Sequence, residues 1–314
     1  MKRLVVSMVA AGLLGLTSSA MAADMPVKAP KIVAPVSPWD VAFGGALMSD
    51  YNFRGISQSD RGAAVTAYVE TRYNVNSALQ LYAGSQYWSV DLPTHPSCEC
   101  DFYAGFRPTV GPLAFDFGFI YYYYARERQV FLDGAGAATF VNTGTVWTLK
   151  DTDYWEVYGK VGWEVIKDKL ALGANFFYSP DWLNSGAYGF YASGTAKLTM
   201  PSFTMPLWGQ MKEVGWYFSG EIGHYSLGTT DPILGSVDLP DYWTWNLGVA
   251  FTQGVFTLDL RYYDTDTTTS ECFALTGDLR GLTGGTDTPG TSKWCNPTFV
   301  VATKFDLTAL SNLK

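Results

Sequence analysis

The sequence predicts an all-β fold: a transmembrane, antiparallel, up-and-down β-barrel of about twelve strands that follows a cleaved N-terminal signal peptide. Three observations predict it. Stretches of about ten residues alternate apolar and polar side chains. The connections between these stretches are alternately short and long, and the chain begins with a secretory leader. In the stretch 255–263, for example, apolar side chains share one face, whereas Thr257, Asp259 and Arg261 share the other.

The leader comes first. Lys2 and Arg3 precede the apolar run 4–16, which is too short for a stop-transfer helix, and 20–22 forms a small-x-small cleavage site. We therefore predict a signal peptide over 1–22, with an uncleaved anchor as the alternative. No later run of about 18 apolar residues occurs, so no helical span is expected. Residues 23–38 are rich in proline and basic, which indicates a periplasmic spacer.

The composition agrees with a wall that faces lipid. Charged residues make up only 16% of the chain and aromatic residues also 16%, including 11 Trp and 20 Tyr. A barrel with two interfacial aromatic girdles needs this balance. The net charge of −8 argues against nucleic-acid binding.

Twelve strands follow from the alternation. The predicted strands are 39–49, 63–73, 77–88, 101–109, 113–124, 152–164, 168–178, 187–199, 213–225, 241–252, 255–263 and 297–305. The barrel is thus predicted to occupy 39–305, followed by a tail, 306–314. An even number of strands places both ends in the periplasm, with short periplasmic turns and longer outer loops. One link breaks this rule, because 200–212 should be periplasmic but is long; either the next strand begins earlier or the turn is elaborated.

The predicted outer loops are acidic. They hold 18 acidic and 7 basic residues. Such a rim attracts cations at low ionic strength and could bind divalent ions that bridge lipopolysaccharide, which predicts a weak cation preference. The alternative is that the acids only keep the rim soluble.

The alternation also assigns charged side chains to the interior. An unpaired charge in a dry interior would cost several kcal/mol, so the lumen must be wet or laced with ion pairs. Two interpretations stay open: a solute pathway lined by charges, or an occluded barrel whose inward charges pair. The inward candidates are Glu70, Arg72, Arg107, Asp116, Glu156, Lys160, Glu164, Lys197, Glu213, Glu221, Asp259, Arg261 and Lys304.

All four cysteines fall in predicted outer loops. Cys272 and Cys295 lie in one loop, and an oxidising compartment favours a bridge between them. Cys98 and Cys100 are too close in sequence for a relaxed bridge, although a strained one is an alternative. With His95 they offer metal-type ligands, but their spacing fits no structural zinc pattern, so no metal is predicted.

One residue pair raises a catalytic alternative. His224 and Ser226 lie two apart on the predicted lipid side, and outer-membrane phospholipase A and the lipid A deacylases use a His-x-Ser pair there. Asn246 on the next strand faces inward by parity, and Leu227-Gly228 follows the serine instead of Asn-Gly. The ordinary interpretation is that both are interfacial residues, so we predict that the chain is not an enzyme.

The segment 49–59, SDYNFRGISQS, resembles a motif of the TorF-type porin family of proteobacterial outer-membrane proteins. Weaker matches follow at 101–106, 121–124, 154–158 and 178–181, so the resemblance covers most of the mature chain. The resemblance implies a barrel with a porin-like role and brings no catalytic residues. The motif is expected at the outer mouth, where Arg54 either pairs with a carboxylate or contacts entering solutes; we favour pairing. The mouth candidates are Asp50, Tyr51, Phe53, Arg54, Gly55 and Ser57.

The expected function is an outer-membrane, porin-like channel of a Gram-negative bacterium for passive diffusion of small hydrophilic solutes or ions, without a cofactor. The alternatives are a structural or surface-interaction barrel with an occluded lumen and, as a minor one, a lipid-acting hydrolase at His224 and Ser226. The expected partners are outer-membrane lipid, lipopolysaccharide, small solutes and the barrel-insertion machinery. The sequence leaves the oligomeric state open.

Overall fold

Twelve antiparallel strands close into a barrel in the computed structural model, which describes residues 37–207, 210–282 and 290–312. Each strand pairs with its neighbours in chain order, and the last pairs with the first, which confirms the predicted fold and strand count. The predicted signal peptide and most of the spacer lie outside the described residues. The barrel strands are β1 (Trp39–Met48), β4 (Ala64–Asn76), β5 (Leu79–Trp88), β6 (Glu99–Val110), β7 (Leu113–Tyr124), β11 (Tyr154–Ile166), β12 (Leu170–Ser179), β13 (Gly189–Leu207), β14 (Gln210–Leu227), β15 (Tyr242–Gln253), β16 (Phe256–Thr265) and β17 (Thr298–Thr308).

The remaining elements belong to the long loops and to the end of the chain. A hairpin of β2 (Asn52–Phe53) and β3 (Ile56–Ser57) follows β1, and a small sheet of β8 (Phe131–Leu132), β9 (Ala138–Thr139) and β10 (Thr145–Val146) precedes β11. Helix α1 (Thr269–Thr276) lies in the last loop and α2 (Ala309–Asn312) follows β17. Short 3₁₀ turns lie at Trp182–Asn184, Pro232–Leu234 and Leu279–Gly281. Within the described ranges, no helix combines the length and the apolar character needed to cross a membrane.

The outer surface of the barrel is apolar. Outward positions carry exposed large hydrophobic side chains on every barrel strand, from Val69 and Phe102 to Leu247 and Phe299. Where the described strands are paired on both sides, these positions hold no Lys, Arg, Asp or Glu; Asp264 lies just beyond the last pair of β16 and β17, near the long-loop end. This uniform face follows from the period-two alternation, because successive side chains of a strand point to opposite sides of the sheet.

The long link predicted at 200–212 is a continuation of two strands. β13 and β14 pair to Leu207 and Gln210, whereas β13 pairs with β12 only to Leu198 and β14 pairs with β15 only from Gly215. The far half of this hairpin therefore extends past the short-turn end of the barrel. Its ladder shifts register between Met200 and Phe203, next to Pro201, which has no N–H to donate. Of the two alternatives for this link, the structure confirms the earlier start of the next strand: β14 already begins at Gln210, and β13 continues to Leu207.

This hairpin also corrects one inward candidate. Glu213 pairs with Thr204 in the projecting part and is exposed, so it does not line the lumen. Its carboxylate accepts a hydrogen bond from Ser202 Oγ at 2.5 Å. Strand parity assigned Glu213 to the lumen. At this position, however, the hairpin has left the closed barrel, so a side chain with inward parity does not face the lumen.

The first barrel strand and the segment that follows the last one contact each other at the short-turn end. β17 runs three residues beyond the predicted end of the barrel, and α2 then turns back to β1. The backbone N–H of Leu310 donates to Asp40 Oδ1 at 3.0 Å. Part of the predicted tail thus belongs to the wall of the barrel.

Candidate functional site

Residues 50–59, named the plug hairpin here, fold down into the lumen at the long-loop end. Strands β2 and β3 form this hairpin, and its turn, Arg54-Gly55, has positive φ angles of 48° and 88°. Arg54 is 3% exposed and Ser57 is fully buried. The sequence motif was expected at the outer mouth; in the structure it lies at the long-loop end, and its side chains fill the adjoining half of the lumen.

Small polar side chains of the motif fix the shape of the plug hairpin. Asp50 Oδ1 accepts hydrogen bonds from Ser57 Oγ at 2.6 Å and Ser59 Oγ at 3.0 Å. Asn52 Oδ1 accepts from the backbone N–H of Gly55 at 3.0 Å, an Asx-type contact that supports the tight turn. The spacing of acid, amide and hydroxyl residues in the motif is therefore explained by the fold of the hairpin itself.

An ion pair joins the tip of the plug hairpin to the wall. The Arg54 guanidinium donates to both oxygens of Glu156, at 2.7 and 2.8 Å, and the two side chains are 1% and 0% exposed. β11, which carries Glu156, is separated from β1 by four strands, so the pair spans the lumen. Tyr122 Oη donates a third hydrogen bond to Glu156 at 2.9 Å. Bidentate Arg–carboxylate pairs have a strict geometry, so this latch sets the position of the hairpin.

Aromatic side chains of the wall enclose the plug hairpin. The guanidinium carbon of Arg54 lies 4.6–4.8 Å from the ring centroids of four side chains, a distance that permits cation–π attraction. These four are Phe53 of the hairpin itself and Phe177, Tyr191 and Tyr225 of the wall. Tyr51 stacks on Trp88 with centroids 4.1 Å apart, and its hydroxyl donates to Glu99 at 2.6 Å. The sequence reasoning missed this cage, although inward positions of β7 and of β11 to β15 carry aromatic residues near their long-loop ends.

Below the plug hairpin, an ion-pair network covers one side of the lumen. Arg107 donates to both oxygens of Glu70, at 2.9 and 3.0 Å, and to Asp116 at 3.3 Å. Arg72 donates to Glu70 at 2.5 Å, and Tyr82 donates to Asp116. Five side chains from β4, β5, β6 and β7 thus form one network of ion pairs and hydrogen bonds. Four of them are charged residues that sequence parity placed inward.

A second network covers the opposite side. Arg261 donates to Asn246 Oδ1 at 2.7 Å, Ser219 Oγ at 2.8 Å and Asp259 at 3.1 Å, and Lys304 Nζ lies 3.6 Å from Asp259. Asp259, Arg261 and Lys304 are all below 7% exposed. The predicted inward charges on β16 and β17 therefore compensate one another across adjacent strands.

The remaining inward candidates contact hydroxyl groups, aromatic rings or backbone. Glu221 accepts from Tyr191 Oη at 3.0 Å, and Lys197 Nζ lies 3.9 Å from the centre of the Tyr217 ring. Lys160 Nζ lies 4.4 Å from the centre of the Tyr158 ring. Glu164 is at the short-turn end, where it accepts from the backbone N–H of Asp168 at 2.7 Å. Lys160, Lys197 and Glu164 are half-buried, whereas Glu221 is buried.

The cysteines are paired in two disulfides. Cys272 of α1 is bridged to Cys295, and Cys98 is bridged to Cys100. Cys100 belongs to β6 and not to the preceding loop. The first bridge ties the helix of the last loop to the residues just before β17. Bridged sulfurs are not thiolate ligands, so His95 has no cysteine ligands beside it for a metal.

His224 and Ser226 lie side by side on the outer face of β14. Ser226 Oγ is 3.2 Å from His224 Nδ1, and the ring of Trp243 packs against the imidazole with centroids 4.7 Å apart. Asn246 points into the lumen, where it contacts Arg261 and Glu221. Asn246 therefore cannot orient the imidazole, and the third group that a hydrolytic triad needs does not come from that position.

A family model described as a bacterial protein of unknown function (Gcw_chp) matches residues 33–288. No curated protein matches the chain by sequence. Among solved structures, the KdgM porin aligns with 85% of this chain and 98% of its own, at 7% identity and a TM-score of 0.40. The COG4313 outer membrane channel from Pseudomonas putida F1 aligns with 90% and 99%, at 11% identity and a TM-score of 0.41. A loop L8 deletion mutant of OmpT from Vibrio cholerae aligns with 86% and 100%, at 12% identity and a TM-score of 0.37.

The matching family model carries no function in its description, so the function has to be argued from the barrel itself. The resemblance to TorF-type porins stays a prediction.

Proposed function

The chain belongs to the Gcw_chp family of bacterial proteins, and we propose that it is an outer-membrane channel for small solutes whose lumen is closed at the long-loop end by the plug hairpin. The outer face of the barrel supports the position in the membrane, and the plug hairpin supports the gated passage.

The outer face supports the position in the membrane. A charged side chain at the bilayer midplane costs a barrel about 2–4 kcal/mol, and the outward rows avoid Lys, Arg and Glu on every doubly paired strand segment. Aromatic side chains such as Trp155 and Trp163 occupy outward positions near the two ends of β11, as in interfacial girdles. With the predicted leader, this placement means contact with lipid and lipopolysaccharide, and insertion by the barrel-insertion machinery.

The plug hairpin is the main structural support for a channel function. A twelve-stranded barrel is wider than the eight-stranded barrels whose lumen side chains alone can fill. Here the outer half is filled by a separate loop, held to the far wall by side-chain contacts around Arg54 and Glu156. A barrel needed only as an anchor could fill this space with wall side chains. A loop that can leave the lumen without unpairing a barrel strand is suited to act as a gate.

Charges on either side of the gate would select solutes. The acidic rim would concentrate cations at the entrance, whereas Lys160 and Lys197 present positive charge below the plug hairpin. We propose a weak cation preference and passage of small hydrophilic solutes once the hairpin moves. A reversal potential in a salt gradient that indicates anion selectivity would overturn the cation preference while leaving the channel intact.

Single-channel recording in a planar bilayer tests the channel. We expect the refolded protein to be mostly closed with rare openings, and the variant Arg54→Ala to open much more often. Arg128→Ala is the matched control, because Arg128 also sits in a long loop and stacks on an aromatic ring, Phe140, but lies outside the lumen. A folded Arg54→Ala barrel that stays as silent as the wild type would refute the gate.

The paired inward charges favour a second candidate, a structural barrel with a permanently occluded lumen. Glu70 and Arg72 are at most 1% exposed, so this part of the interior has no free charge for a solute to meet. The same recordings separate the two candidates. A structural barrel stays silent with and without the latch, whereas a gated channel conducts when the latch is removed.

A further inference from the structure

Above the plug hairpin lies an open cavity, named the vestibule here, to which every long loop contributes. It holds about 1120 Å³ of space free of atoms, counted out to its mouth. Phe53 and Ile56 of the plug hairpin form its floor, and Trp147, Trp182, Leu239 and Trp294 are among its walls. The loops that follow β1, β5, β7, β12, β14 and β16 all supply lining residues, so the vestibule depends on the arrangement of the complete loop set.

The lining of the vestibule is uncharged. Among the described residues that line it there is no Lys, Arg, Asp, Glu or His, although the same loops hold 18 acidic and 7 basic residues. Where the structure describes these loops, their charged side chains therefore lie away from this surface. An acidic rim around an uncharged interior differs from the charged constriction that small ions pass in a porin.

Three of the aromatic lining residues direct their polar atoms into the protein. Trp147 Nε1 donates to the carbonyl of Gly277 at 3.1 Å, and Trp294 Nε1 donates to Asp60 Oδ1 at 2.8 Å. Tyr242 Oη donates to the carbonyl of Arg54 at 3.0 Å. These side chains thus present ring carbon to the vestibule.

The hydroxyl and amide side chains of the lining are also engaged within the protein. Thr94 and Thr152 both donate to Glu127, at 2.6 and 2.5 Å, and Gln58 Nε2 donates to the carbonyl of Ile56 at 3.1 Å. Thr276 Oγ1 donates to the carbonyl of Cys272 at 2.8 Å. A charged ligand would lose its hydration here without gaining a charged partner, which is unfavourable.

We infer that the vestibule binds a small, neutral, ring-containing solute. Flat indole and phenol rings bind such a molecule through its apolar surface, and they exclude the charged solutes that the rim attracts. Because the floor of the vestibule consists of the two residues that flank Arg54-Gly55, a bound molecule lies directly against the outer side of the gate. The role of the vestibule as a loading site for transport rests on the function proposed above, whereas the binding itself does not.

Ligand-detected ¹⁹F NMR tests this with three probes of one shape and different charge. These are 4-fluorobenzyl alcohol, 4-fluorobenzoate and 4-fluorobenzylammonium, each added to the protein in detergent micelles and to micelles alone. We expect protein-dependent line broadening for the alcohol and little for the two ions. Equal broadening of all three probes, or a preference for either ion, would overturn the inference.

Two neighbouring residues provide a matched pair of variants. Leu234 lines the vestibule, whereas Ile233 is 66% exposed and does not line it. Leu234→Asp places a charge in the wall and should weaken binding of the alcohol by about tenfold or more, whereas Ile233→Asp should leave binding unchanged. Leu183→Asp is a second wall variant in another loop, at a left-handed backbone position (φ 53°) that aspartate tolerates well. Wild-type binding by both wall variants would overturn the site.

The outcomes of binding and of conductance are independent. Binding of the alcohol by a barrel that never conducts would support the vestibule and refute the gated channel. Conduction by the Arg54→Ala variant, without selective binding of the alcohol by the wild type, would support the channel and refute the vestibule.

Discussion

Removal of the Arg54 side chain should open the barrel, because it leaves a buried carboxylate without its cation. Glu156 is 0% exposed and receives two of its hydrogen bonds from Arg54, at 2.7 and 2.8 Å. After Arg54→Ala, the Tyr122 hydroxyl at 2.9 Å is the donor that remains to it among the described residues. The carboxylate then has to be hydrated, and water can reach it when the plug hairpin leaves the lumen.

The size of the effect follows from the burial of the pair. Loss of one partner of a buried ion pair costs about 3–5 kcal/mol. Each 1.4 kcal/mol is a factor of ten in an equilibrium constant, so the ratio of open to closed hairpin should rise by about two to three and a half orders of magnitude. The double variant Arg54→Met/Glu156→Gln removes both charges and should open far less, because neither side chain is then left as an unpaired charge.

Single-channel recordings of the wild type and the single and double variants measure this ratio as open probability. Folding is checked by heat-modifiable migration in gels, so that a silent variant is known to be a folded barrel. Two results would refute the reasoning. One is a single variant whose open probability equals that of the wild type, and the other is a double variant that opens as much as the single one, because the cost would then not come from an unpaired charge.

Three further predictions follow from other parts of the molecule. Gly55→Ala should also open the barrel, because φ is 88° there and a Cβ would lie 2.3 Å from Thr265 Cγ2. Gly235→Ala, at φ 90° with open space around it, is the control. Equal open probabilities of the two variants would contradict the prediction. Leu247→Arg, at an outward position that is 63% exposed, should cost about 2–4 kcal/mol in folding free energy measured in lipid vesicles, whereas Ile233→Arg on a loop should cost little; similar losses would contradict the membrane placement. Burial raises the pKa of Glu127, so the folded protein binds a proton at this carboxyl more readily than the unfolded chain does. The urea midpoint of the wild type minus that of Glu127→Gln should therefore rise as the pH falls through the raised pKa. A difference between the two midpoints that does not change with pH would contradict the assignment.

The wall of the barrel was predictable because one local rule determines it. Alternation with a period of two assigns each side chain to a face, and it placed Trp155 outward and Glu156 inward correctly without any knowledge of the neighbouring strands. The rule failed where its assumption failed. Glu213 has the parity of an inward residue, but the strand has left the barrel at that point and has no neighbour beyond β13.

The plug hairpin was not predictable in the same way, because its position depends on contacts between residues far apart in the chain. Arg54 and Glu156 are 102 residues apart, and nothing near either residue in sequence indicates the other. The composition of the motif does indicate a compact, internally bonded turn, since Asp50, Asn52, Ser57 and Ser59 supply its hydrogen bonds. Whether that turn lies at the mouth or in the lumen is decided by the aromatic cage of the opposite wall, to which β7 and β11 to β15 contribute.

The position of the ion pair connects the two proposals physically. Arg54 is the one cation in the turn of the plug hairpin, and it lies between the uncharged vestibule above and the ion-pair networks of Glu70 and Asp259 below. A solute that binds to Phe53 and Ile56 contacts the hairpin on both sides of this residue. It can favour the open state only if it binds the displaced hairpin more tightly than the closed one. A neutral aromatic probe that binds the wild type and leaves open probability unchanged would therefore be a ligand of the closed state, and the vestibule would then hold solutes at the gate without opening it.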